Sequence, residues 1–158
     1  MRHPQGTKSK ENKEEFNIRL QFTITGYPLK KTGAQSMWGK PLEARRLAEL
    51  RSAALNALNG NPPLRSNIKL TLKIHVGAVN DRTTGDLDTF VTGVCDGLMA
   101  AYPGGKLDPI WNKPELSNIR PSKSLAIVDD CQVVYIQAEK IIGDTNQPYY
   151  EVALEGIK

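Results

Sequence analysis

Apolar and polar residues alternate along residues 17–24: Ile18, Leu20, Phe22 and Ile24 fall on one side, Arg19, Gln21 and Thr23 on the other. A period of two predicts a strand with one buried face. Residues 68–76 repeat the pattern, with Ile68, Leu70, Leu72, Ile74 and Val76 set against Lys69, Thr71, Lys73 and His75. His75 is therefore expected on the solvent side of a strand, not as a ligand. Between these strands the period lengthens. Leu47, Leu50, Ala54 and Leu58 recur at helical spacing within residues 41–59, with Pro41 in the first turn and Gly60 as the stop. Arg45, Arg46 and Arg51 are expected to face outward. From Asp86 the period is helical again: Leu87, Phe90, Val91, Val94 and Leu98 form an apolar stripe, and Asp86 or Asp88 can cap its start. Residues 132–140 and 149–154 predict two last strands, joined through residues 143–148 as an antiparallel hairpin.

Strand, helix, strand, helix, strand, strand is the order of an α+β domain: two layers, with two main helices packed on one face of a sheet. Residues 1–15 are polar and mixed in charge, which predicts a flexible tail ahead of a single domain at 16–158. Two connections stand out. Residues 27–40 carry Lys30, Lys31, Lys40 and Trp38. A basic loop with an aromatic suits a phosphate backbone, and equally a solvated turn with one packed tryptophan. Residues 100–127 are rich in proline and glycine and carry Lys106, Lys113, Arg120 and Lys123 with Tyr102 and Trp111. A loop this long is uncommon inside a domain and is often functional.

Composition narrows the classes. With 158 residues, 39% of them hydrophobic, the chain can bury a core without disulfides or a structural metal. Cys95 and Cys131 lie far apart in sequence with no zinc-binding spacing, so both are expected as reduced thiols. No apolar run reaches the length of a membrane span, and the N-terminus has no signal-peptide core. A cytoplasmic protein is expected. The formal net charge of +4 suits a polyanionic partner but is common in domains that have none.

The position of the acids changes the picture more. Asp86 and Asp88 stand one residue apart where a helix begins, a place where carboxylates favour the backbone dipole and serve as caps. Asp88, Thr92 and Asp96 then follow at i, i+4 and i+8, along one side of that helix. Asp129 and Asp130 precede a strand, where a turn aspartate is common. Taken singly, each is a cap or a turn. Together they supply the hard oxygen donors that magnesium prefers, usually a few carboxylates completed by water and phosphate. Three aspartates gathered without a cation would repel one another.

These segments carry a resemblance. Gly85-Asp86-Leu87-Asp88, then Cys95-Asp96-Gly97-Leu98, then Val128-Asp129-Asp130-Cys131-Gln132-Val133 resembles the RusA-type Holliday junction resolvases. Their pattern is Asp-x-Asp-Asn-x-x-Lys, then Asp-Ala-Leu, then Asp-Asp-x-Gln-Val, and the likeness runs from residue 17 onward. It implies a mixed sheet, a homodimer, and cutting of four-way DNA junctions with magnesium, or manganese in its place. It also implies that Asp86, Asp88 and Asp130 are the catalytic metal ligands, Asp129 a further ligand and Asp96 a supporting acid. Arg82, Lys30, Lys31, Lys106, Lys123 and Lys140 are then expected to contact DNA phosphates.

Two positions depart from the pattern. Thr89 stands where the family has asparagine, and Thr92 where it has the catalytic lysine. Threonine brings no positive charge to a reacting phosphate. Either Lys106, Lys113 or Lys123 reaches back from the long loop, or the loop covers an apolar edge and the enzyme is weak. The expectation is a magnesium-dependent endodeoxyribonuclease acting on branched DNA. The alternative is a weakly active or inactive protein of the same fold that binds branched DNA.

Overall fold

The computed structural model describes residues 19–31, 36–78, 85–99, 102 and 104–157. The expected tail at 1–15 lies outside them. Four strands, β1 (Arg19–Thr25), β2 (Asn67–Val76), β3 (Val133–Ile142) and β4 (Tyr149–Ile157), form one sheet in the order β1-β4-β2-β3. β4 runs antiparallel to both β1 and β2, whereas β3 runs parallel to β2. The sheet is therefore mixed and the fold is α+β.

Among the described residues three α-helices accompany it: α1 (Ser36–Gly39), α2 (Pro41–Leu58) and α3 (Leu87–Gly97). Helix α2 begins on Pro41 and ends where Asn59 turns left-handed at φ 51°. The alternating positions of β1, β2 and β4 bury Phe22, Leu70, Ile74, Val152 and Leu154. The stripes of α2 and α3 bury Leu47, Leu50, Phe90, Val94 and Leu98 in the same core. Both long helices thus serve one apolar layer.

The last two strands do not form the expected hairpin. β4 inserts between β1 and β2, and β3 takes the far edge beside β2. Burial explains the choice. β4 buries Tyr150, Val152, Ala153 and Leu154, while β3 leaves Val134, Tyr135, Ile136 and Ile142 exposed. The strand with the continuous buried face takes the interior place, and the chain crosses the end of β2, where Gly143 N donates to Val76 O at 3.0 Å.

Arg51 is a second correction: it faces inward and is fully buried. It donates to the carbonyl oxygens of Ile119, Gly97, Met99, Arg120 and Lys123. Burial brings its pKa down to about 10. These acceptors explain why the long connection is not an open loop. It folds into 3-10 helices at Pro109–Asn112 and Pro114–Ile119 and sends Trp111, Ile119, Leu125, Ala126 and Ile127 into the core.

His75 is the third. It is buried, with Nδ1 2.6 Å from Asp144 Oδ2 and Nε2 3.0 Å from Glu151 Oε2. Its ring stacks on Tyr149 at 4.2 Å. Alternation placed it on the right face, but cross-strand neighbours close over that face.

Candidate functional site

Helix α3 spans the region between the acids, and its two ends differ. At its start Asp86 occupies the N-cap position with an extended backbone, yet its side chain makes no capping hydrogen bond. Asp88 is exposed in the first turn, where its Oδ1 accepts from Thr89 N at 3.0 Å. Thr92 spends its hydroxyl on the helix itself, donating to Asp88 O at 3.0 Å. Lys140 of β3 donates to Gly85 O at 2.6 Å and lies 5.9 Å from the Phe90 ring centre. Lys30 reaches the same spot: a Cβ on Gly85 would stand 2.7 Å from Lys30 Cδ.

The other end of α3 meets the approach to β3. Asp129 caps the short 3-10 turn Asp130–Gln132, with Oδ1 accepting from Cys131 N at 2.9 Å. Gln132 closes the capping box. Its Oε1 accepts from Asp129 N at 2.9 Å and Val128 N at 2.8 Å. Its Nε2 donates to Leu64 O at 2.8 Å and Ser66 O at 2.9 Å, so the buried amide fastens this turn to the chain leading into β2.

That turn sets Asp129 and Asp130 at adjacent positions, as its N-cap and first residue. The Cys131 N–H, then the Cys131 and Asp130 side chains, hold the Asp129 carboxyl below its usual range. Asp130 is raised, first by partial desolvation, then by its bond to Asp129 and by the charges of Asp129 and Asp96, with Lys31 opposing. Asp96 is buried and accepts from Lys31 Nζ. Between them, the Cys95 thiol is pushed up to about 11 by burial and by Asp96 and Asp130.

The fold therefore brings Asp129, Asp130, Asp96 and Lys31 together. Asp86 and Asp96 are ten residues apart on the helix, about 15 Å at 1.5 Å per residue. Among the described residues, no group of three or more His, Cys, Asp and Glu is placed to hold a metal. The three-aspartate cage expected from Asp86, Asp88 and Asp130 is thus not assembled within the described part of one chain. The Asp129–Asp130 pair is a smaller donor set. It fits a hard cation that one or two carboxylates share with phosphate and water.

The expected basic contacts divide in the same way. Lys31 serves the Asp130 end, and Lys30 and Lys140 serve the Asp86 end. Lys106, Lys113 and Lys123 are exposed on the long connection. Arg82 lies outside the described residues.

The roles of two residues near the site were not foreseen from the sequence. Gln132 stood in the quoted motif, and Asp129-x-x-Gln132 is also the spacing of a capping box, which was a readable signal. Gly93 carried none: its role lies in a contact made from a distant segment. No protein-family model matches the chain, and no curated protein matches it.

Proposed function

We propose that the chain is a magnesium-dependent endodeoxyribonuclease acting on branched DNA as a homodimer. The observation that carries this proposal is the pair of adjacent acids Asp129 and Asp130 on one capped turn, close to the Asp96–Lys31 ion pair. Two acids in contact, one of them raised, are in local excess of negative charge, and a divalent cation relieves that excess. Bound there, magnesium would polarise a phosphodiester and lower the pKa of a coordinated water. The protein's share is positional. Gln132 fixes the turn, Asp129 and Asp130 offer oxygens, and Lys31 sets a positive charge alongside. Lys30 and Lys140, at the other end of α3, are spaced to meet the DNA backbone further along. Such contacts position DNA without reading its sequence.

The homodimer rests on β3. It is an edge strand that exposes Val134, Tyr135, Ile136 and Ile142, the kind of edge that proteins usually cover. No helix among the described residues is long and apolar enough to cross a membrane.

A second proposal, binding branched DNA without cutting it, is favoured by Thr92 and by the separation of Asp86 and Asp88 from Asp130. One experiment distinguishes the two. Purified protein is incubated with a synthetic four-way junction and magnesium, beside Asp130→Asn. Paired nicks lost in the variant support the nuclease. A shifted but uncut junction supports the binding protein.

A further inference from the structure

The segment that carries Lys31 lies against α3 at a separation that only glycine allows. A Cβ on Gly93 would stand 2.6 Å from Leu29 O and 3.2 Å from Leu29 C. Leu29 itself is fully buried. The next residue is tied on the other side, where Lys30 N donates to Glu43 Oε1 of α2 at 2.9 Å. Held between two helices, the chain leaves Lys31 at a fixed point above the C-terminal half of α3.

There its ammonium donates to Asp96, whose side chain is 7% exposed, while the lysine side chain is 35% exposed. A lysine held only for stability would gain little from such a pair, since desolvation offsets most of the attraction. An ammonium has three N–H groups. Asp96 takes one, the side chain stays partly exposed, and its charge is felt at Asp130. Thr92, one helical turn before Asp96, is exposed and uncharged, and its hydroxyl is already committed to Asp88 O.

We infer that Lys31 is the phosphate-contacting cation of the proposed site, presented by the Leu29–Gly93 contact and oriented by Asp96. This rests on the branched-DNA reading above. Because Asp96 and the anchored backbone fix the lysine beforehand, it contacts phosphate with little ordering cost at the moment of binding.

The test uses the full chain and Lys31→Met, which keeps the aliphatic stem, with Thr92→Lys added as a second-site rescue. Junction binding is measured without divalent metal across a salt series, and single-turnover cutting is measured with magnesium. Lys31→Met is expected to lower the slope of log affinity against log salt by about 0.9, as one phosphate contact predicts. Its cutting rate is expected to fall on the order of a hundredfold. The double variant should recover both in part without a higher melting temperature than Lys31→Met, whereas a lysine that merely refills the ion pair to Asp96 would recover stability instead. Slope and rate unchanged in a junction-cutting protein would overturn the inference alone. Losses that track a lowered melting temperature, with no rescue by Thr92→Lys, would overturn it as well. Wild-type protein that binds but never cuts removes the nuclease proposal and leaves the salt slope to decide on Lys31. Wild-type protein that neither binds nor cuts the junction removes both.

Discussion

Arg51 of α2 donates through Nη1 to the carbonyl of Gly97 at 2.7 Å, at the last turn of α3. A cation at a helix C-terminus meets the negative end of the backbone dipole. The same guanidinium also gathers carbonyls from Met99, Ile119, Arg120 and Lys123, so one side chain joins both helices to the long connection. Arg51→Met is expected to leave these carbonyls without their donor and to cost about 3 kcal/mol or more. For a domain of this size that is a fall in melting temperature on the order of 10 °C. Arg51→Lys should recover little, because an ammonium cannot reproduce the planar fork. Thermal melts followed by circular dichroism check this. A variant melting within about 2 °C of wild type would show that other contacts hold the connection.

His75 gives the fold a pH dependence. Burial pulls the imidazole pKa down, but hydrogen bonds to Glu151 and Asp144 and the charges of both acids outweigh it, and the net shift is upward. Only an imidazolium donates from both nitrogens, and both face carboxylates. A folded-state pKa above the unfolded value stabilises fully below the ordinary imidazole range. That contribution fades as pH rises through the folded value. Urea titrations from pH 5.5 to 8.5 should therefore show stability falling with pH, and His75→Gln should flatten this part of the profile. A parallel profile in the variant would assign the pH dependence elsewhere.

Gln132 is expected to tolerate no acidic substitute. In Gln132→Glu one oxygen still accepts from Val128 N and Asp129 N, but the other is turned against the carbonyls of Leu64 and Ser66. The expected cost is about 2 kcal/mol or more, with cutting of the junction reduced further than the melting temperature explains. Equal loss in both measurements would make Gln132 a purely structural residue.

What was legible in the sequence follows from the range over which each signal acts. Alternation in β1 and β2, the Pro41 start and the Asn59–Gly60 end of α2 are local, and the structure has them close to where they were expected. Strand order is not local. Residues 143–148 look like a hairpin turn, but whether β4 pairs with β3 or slips between β1 and β2 depends on which faces are buried by helices elsewhere. Arg51 shows the same limit. Its spacing sets it beside the apolar stripe, and only carbonyls from residues 97–123 make its burial tolerable. For the candidate site, the sequence singled out these acids but could not say how the fold groups them. Asp86 and Asp88 stand at the start of α3, and it is Asp96, near the end of the helix, that pairs with Lys31.

The proposed function requires that a divalent cation is taken up at the Asp129–Asp130 turn. Crystals soaked in manganese and measured at its absorption edge test this directly. An anomalous peak is expected in coordination contact with Asp130, shared with Asp129 and absent from Asp130→Asn crystals. A peak held by Asp86 and Asp88 with Asp130 uninvolved, or no peak at any aspartate, would contradict it.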